Sequence, residues 1–146
     1  MKTELTFRQA SGADWPAIQA LLQAARLPLD GAADHLDNFV VGEADGQLVC
    51  TGGFEQYGAT ALLRSVAVDA SLRGTGHGQN LLGSLLNQAR AQGVAEFYLL
   101  TTTAEAYFSK RGFSVMARAD MPPVLQASRE FQGVCPVSAT AMVAKL

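Results

Sequence analysis

Hydrophobic positions along the 146-residue chain change period several times, and each change predicts an element. Leu5 to Gln9 alternates apolar and polar, the period of two expected of a strand. Ser11 and Asp14 then stand as caps for a helix whose Trp15, Ile18, Leu22 and Ala25 recur at helical spacing, with Pro28 as its stop. A short second helix is expected over Gly31 to Leu36. Phe39, Val40 and Val41 open a strand that ends at the hairpin pair Asp45-Gly46, and Gln47 to Tyr57 returns antiparallel.

Tyr57-Gly58-Ala59-Thr60 predicts a second turn into a strand over Ala61 to Val68, where Leu62, Leu63, Val66 and Val68 suggest burial on both faces. Leu81, Leu82, Leu85, Leu86 and Ala89 then mark one face of a helix that stops at Gly93, before a strand over Glu96 to Thr101. A strand, a helix and a strand in succession imply that the two strands run parallel with a right-handed crossover, so the sheet should be mixed. Thr102 and Glu105 fit a capping box for a short helix that ends at Gly112. Phe113 to Ala117 reads as a strand, Pro122-Pro123 as a break, Val124 to Ser128 as a helical turn and Ser138 to Ala144 as a last strand. Neither a repeat nor a low-complexity segment interrupts this order, and one α/β domain over residues 1–146 is expected.

Composition narrows the function. Hydrophobic residues make up 49% and charged residues 16%, an apolar balance that suggests a buried ligand cleft or a subunit face, with a homodimer as the simplest form. The formal net charge is -2 and the basic residues are scattered, which argues against a nucleic-acid groove. Lacking an apolar run of about 20 residues or a signal-peptide pattern, the chain is expected in the cytoplasm and away from membranes. Cys50 and Cys135 are too few and too far apart for a zinc set or a disulfide framework, and neither His35 nor His77 has companions at metal spacing, so no metal is expected.

The segment Arg73-Gly74-Thr75-Gly76-His77-Gly78 carries chemistry. It falls between a buried strand and a helix start, where free amides and the helix dipole can hold a phosphate. Its glycines let the backbone approach pyrophosphate oxygens, and Arg73 can add a charge-assisted contact. A P-loop would end in Gly-Lys-Ser/Thr, and a dinucleotide fingerprint would place glycine or alanine where Gln79 stands.

Arg73, Gly76 and Gly78 instead resemble the pyrophosphate loop of the GCN5-related N-acetyltransferase (GNAT) superfamily. Leu63-Arg64-Ser65-Val66-Ala67-Val68 looks like that family's fourth strand, and Ala104 to Phe113 like its alanine, aromatic, Gly-Phe helix. Leu99 to Ala104 with Tyr107-Phe108 and Gly112-Phe113 is similar to the amino-acid N-acetyltransferase branch. The tail Glu130-Phe131, Cys135-Pro136-Val137-Ser138-Ala139 and Met142 is similar to a small subgroup associated with arsenic resistance.

The resemblance implies a mixed, mostly antiparallel sheet whose fourth and fifth strands splay. It also implies acetyl-coenzyme A as cofactor and transfer of its acetyl group to the amine of a small molecule, such as an amino acid or an amino-acid-like toxin. Val66, Ala67 and Val68 would lie beside the pantetheine arm, residues 73–78 around the pyrophosphate, and Thr103 and Phe108 near the thioester. Glu55 is the expected general base, with a surface carboxylate beside a turn as the alternative. Arg64 would hold an acceptor carboxylate, or else make an ordinary ion pair. The family's proton-donating Tyr, four residues before Gly-Phe, is Phe108 here. Tyr107 therefore becomes the expected acid, one residue earlier and about 100° round the helix, with Thr101, Thr102, Thr103 or solvent as substitutes. Loss of the usual Tyr also motivates a second reading, a coenzyme A binding or sensing module with weak catalysis.

Overall fold

A computed structural model describes residues 5–27, 29, 32–69, 77–102, 104–126 and 139–146. Its centre is a seven-stranded sheet in the order β1-β2-β3-β4-β5-β7-β6. The strands are β1 (Thr6–Gln9), β2 (Phe39–Ala44), β3 (Gln47–Tyr57), β4 (Thr60–Val68), β5 (Glu96–Thr101), β6 (Ser114–Met116) and β7 (Thr140–Lys145). The helices are α1 (Trp15–Ala24), α2 (His77–Ala91), α3 (Glu105–Ser109) and α4 (Pro123–Gln126). Every neighbouring pair is antiparallel except β4 and β5, which run parallel as the strand, helix, strand pattern requires.

Turn chemistry sets the register of the meander. Asp45 and Gly46 both take positive φ, 52° and 78°, as a two-residue hairpin turn needs. The Gly58-Ala59 turn pairs Tyr57 with Thr60 and so brings Glu55 opposite Leu62. Gly93 and Gly112 close α2 and α3 with φ of 87° and 94°, the left-handed caps expected of them.

Two faces of the sheet bury apolar residues. On one, Leu81, Leu82, Leu85 and Ala89 of α2 meet Phe54, Leu63, Phe97 and Leu99, with Phe108 and Phe113 completing the layer. On the other, Ile18 and Leu22 of α1 cover Phe39, Val41 and Ala67, while Leu125 of α4 and Met121 cover Leu62 and Tyr98. Gly52 and Gly53 permit both contacts at the middle of β3: a Cβ on Gly53 would strike the Phe39 ring, and one on Gly52 would press on Leu85.

The ends of several elements differ from the sequence pattern. Helix α1 ends at Ala24, four residues before Pro28, and Arg26 turns the chain with φ of 58°. A 3-10 segment, Ala32–Asn38, replaces the expected short helix, because its seven residues include a non-helical kink at His35. The N-cap of α3 is Ala104 rather than Thr102 and has no side-chain cap, while Thr101 Oγ1 accepts from the Ala104 amide at 3.0 Å. A 3-10 turn over Arg118–Asp120 has no signal in the hydrophobic pattern.

Candidate active site

Strands β4 and β5 pair only from Thr60 with Glu96 to Leu62 with Tyr98. Beyond that point β4 stays paired with β3 as far as Val68, and β5 with β7 as far as Thr101. A fork opens between the two strands, and its sides are Leu63–Val68 and Leu99–Thr101. Unpaired peptide groups along such a fork are hydrogen-bonding sites for a ligand that enters it.

The fork side of β4 carries a bulge. Between the pairs Thr51 with Ala67 and Gly53 with Arg64, one residue of β3, Gly52, faces two of β4, Ser65 and Val66. Ser65 adopts φ of 61°, left-handed and unfavourable for a residue with a Cβ. The extra residue resets the alternation, so Arg64 points to the α1 face while Val66, two positions later, packs on the α2 face. At the base of the fork Tyr98 is held neutral, because burial and then the neighbouring Glu96 push its phenol up.

Charge gathers on the α1 face beside the fork. Glu55 and Arg64 are buried, and Arg64 Nη1 lies 2.7 Å from Glu55 Oε2. Tyr57 Oη donates to Glu55 Oε1 at 2.6 Å, and Arg64 Nε donates to Ser65 Oγ at 3.0 Å. His35, on the kink of the 3-10 segment, brings Nε2 to 3.9 Å from Glu55 Oε1, and its ring meets Tyr57 edge to face at 6.4 Å. A carboxylate, a guanidinium, a phenol and an imidazole therefore form one polar group against one side of the sheet, buried at Glu55 and Arg64 and partly exposed at Tyr57 and His35.

Glu55 and Arg64, two independent candidates in the sequence, are thus brought together. The turn register foreshadows the meeting: pairing Tyr57 with Thr60 puts Gly53 opposite Arg64, and Glu55 is the next residue on that face of β3. His35 has no comparable local signal, since the 3-10 segment carrying it reaches β3 only through the tertiary fold.

Tyr107 and Phe108 sit elsewhere. Phe108 is buried in the layer on the α2 face, 5.5 Å from the Phe113 ring. Tyr107 packs half-buried against the same layer, and the Arg111 guanidinium lies over its ring at 3.7 Å. A phenylalanine at 108 suits that packing, since the site offers an aromatic neighbour to each side and a hydroxyl would need a partner. Arg73, Gly74, Thr75, Gly76 and Thr103 lie outside the described residues; His77 and Gly78 open α2. Cys50 is buried where β3 meets β2, and burial pushes its thiol up to about 11, which makes it inert packing; Cys135 lies outside the described residues. Among the described residues, no group of three metal-binding side chains occurs, and no helix is long and apolar enough to cross a membrane.

Comparison with known proteins fits this architecture. Residues 35–115, from the kinked segment through β6, match the family model of the acetyltransferase (GNAT) domain. An amino-acid acetyltransferase of Neisseria meningitidis is 26% identical over 127 residues, which cover 81% of this chain and 29% of the relative. One from Yersinia enterocolitica is 32% identical over 95 residues, 62% of this chain and 21% of the relative. The chain therefore spans under a third of the length of these curated relatives.

Among solved structures, N-acetylglutamate synthase from Neisseria gonorrhoeae, complexed with coenzyme A and N-acetyl-glutamate, superposes with a TM-score of 0.84 at 22% identity. The match covers 100% of this chain and 36% of that one. Rv2747 from Mycobacterium tuberculosis, in complex with CoA and NLQ, gives 0.78 at 21% identity and covers 97% of this chain and 99% of that one. With the family match spanning more than half its length, the chain belongs to the GNAT acetyltransferase family.

Proposed function

We propose that this acetyltransferase moves the acetyl group of acetyl-coenzyme A directly to the amine of a small amino-acid-like acceptor. The observation that carries the reading is the fork between β4 and β5, with a buried charged group on one side of it. A pantetheine arm fits the fork as a pseudo-strand, bonding to backbone along Val66, Ala67 and Val68. Its pyrophosphate would meet residues 73–78 at the start of α2, where Arg73, Gly74, Thr75, Gly76, His77 and Gly78 supply amides and charge.

The bulge gives the thioester its partner. An extra residue in a strand leaves a peptide group outside the ladder, and the Val66 amide, beside the bulge, would donate to the oxyanion of the tetrahedral intermediate. The Glu55 and Arg64 pair forms the charged floor of the acceptor site, complementary to an ammonium and a carboxylate on one small molecule. Glu55 is the candidate for the base function that an acceptor ammonium needs, either directly or through a group that it holds. The departing thiolate, with a reference pKa of about 8.5, is a tolerable leaving group and takes up the remaining amine proton through solvent or through Tyr107. Thr103 would flank the acyl end of the cofactor, and Phe108 would back it only from within the layer on the α2 face.

The names of the curated relatives and the N-acetyl-glutamate complex support an amino acid as acceptor. An amino-acid-like arsenical belongs to the same charge class and forms a second arm of the screen. Dependence on acetyl-coenzyme A supports a cytoplasmic location, and the apolar composition supports a homodimer.

Thiol release from acetyl-coenzyme A against a panel of amino acids and arsenical analogues tests the reading. Turnover that saturates with one of them is expected. Tight cofactor binding without turnover on any amine would instead identify a binding or sensing module. Gly76→Leu should weaken acetyl-coenzyme A affinity at least tenfold by calorimetry while the thermal transition stays in place. Unchanged affinity would remove residues 73–78 from the cofactor site.

A further inference from the structure

His35 is a partly exposed member of this polar group. Its side chain is 25% exposed, against 2% for Glu55 and 0% for Arg64. Both oxygens of Glu55 are already engaged, Oε2 by Arg64 and Oε1 by Tyr57. A carboxylate that accepts from two donors is stabilised as the anion and is poorly disposed to take a third proton into a buried place. An imidazole beside it has a different capacity, because it exchanges a proton in the neutral range and gains from an adjacent carboxylate once charged.

We propose that His35 takes the proton of the acceptor ammonium, and that Glu55 is the residue that positions its imidazole. The assignment rests on acetyl transfer to an amine at this site. With Nε2 turned toward Glu55 Oε1, the neutral ring keeps its hydrogen on Nε2 and leaves Nδ1 as the acceptor. The 3.9 Å separation must shorten by about 1 Å, or be bridged by one water, for that bond to form, as commonly happens when substrate closes a site.

The step balances as follows. The ammonium gives one proton to His35 Nδ1, and the freed lone pair attacks the thioester carbonyl carbon. As the carbon-sulfur bond breaks, the thiolate leaves with its electron pair. The nitrogen loses a second proton, which ends on the thiol, and His35 returns its own to solvent. Among the described residues, the charged or titratable groups near the ring include Glu55 and Tyr57 from β3, with Arg64 of β4 behind Glu55, and Asp34 and Asp37 on its own segment. Tyr57 holds the Glu55 carboxylate oxygen that faces the ring.

The test compares wild type with His35→Gln by thiol release on the same amine from pH 6.5 to 9.5. At pH 7, kcat/KM for the amine is expected to fall about 100-fold. By pH 9.5 an α-amino acceptor, with a reference pKa near 8, is mostly neutral, and the deficit should shrink to about threefold. The KM for acetyl-coenzyme A and the thermal midpoint should stay at wild-type values. A deficit of the same size at both pH values would show a merely structural role and overturn the assignment, as would a variant within twofold of wild type at pH 7. An unreactive wild type on every amine is a separate result: it overturns the acceptor reading, and the role of His35 falls with it.

Discussion

Two arginines of the sheet each bind carboxylates, and their surroundings separate them. Arg8 on β1 reaches Asp14 through Nη1 and Nη2, each at 2.8 Å, and Glu43 of β2 from its other edge. Its side chain is 38% exposed, and its partners hold the start of α1 against the first hairpin. Arg64 is wholly buried, paired with Glu55 at 2.7 Å, and lies beside a bulge and a fork in the sheet. Solvent can replace much of what Arg8 provides if it is lost. Nothing comparable can replace Arg64, since the charge it leaves behind would be buried. A network that costs so much to desolvate and sits at the one parallel join of the sheet is better explained by the acceptor site than by stability.

Removing one member of each pair should show this difference most strongly at Arg64. Arg64→Met leaves the Glu55 carboxylate without its guanidinium and should destabilise the fold by about 3–5 kcal/mol. Urea unfolding checks it. The double variant Arg64→Met with Glu55→Gln should recover part of that loss, because the uncompensated charge is gone, while acetyl transfer stays abolished. A loss from Arg64→Met of under about 1 kcal/mol would place the pair in the same class as the exposed one.

The bulge gives the second largest effect. Ser65→Val puts a β-branched residue at φ of 61° and should cost about 1–2 kcal/mol, with a drop in kcat greater than the change in acetyl-coenzyme A affinity, since the Val66 amide would shift. Ser65→Gly relieves the backbone and should be neutral or slightly stabilising, though it loses the Oγ that accepts from Arg64. Equal stability for the two variants would mean that the bulge relaxes without strain.

How far the sequence exposed all this follows the range of the interactions. Strands β3 and β5 match their predicted bounds because turn glycines and runs of apolar residues are local signals. Residues Arg73, Gly76 and Gly78 carried the family resemblance for the same reason: a phosphate loop depends on consecutive backbone positions. The bulge left no trace, since Ser65 is an ordinary residue whose conformation follows from the pairing of β3 and β4. Neither Phe108 in the core nor His35 beside Glu55 could be placed before the helix and the 3-10 segment were docked. Glu55 and Arg64, candidates for different roles in the sequence, meet only through the pairing of β3 with β4.

The smallest expected effect belongs to the exposed cluster, and its pH dependence has a definite sign. Hydrogen bonds from Arg8, helped by the Ser11 amide, hold the Asp14 carboxyl well below the usual range despite the opposing cost of desolvation. A carboxyl depressed in the folded state stabilises the protein fully above its unfolded value, near 3.9, and loses that contribution as pH falls through the folded value. Arg8 is raised by the same partners, so it stays charged throughout and adds no slope at acid or neutral pH. Asp14→Asn should therefore cost about 1 kcal/mol at pH 7, and the gap from wild type should narrow only below about pH 4. Thermal midpoints from pH 7 to pH 2.5 measure it. Acetyl transfer at pH 7 should be unchanged in this variant, because nothing links Asp14 to the fork except the fold they share, and a loss of more than about twofold would tie the outer cluster to the site after all.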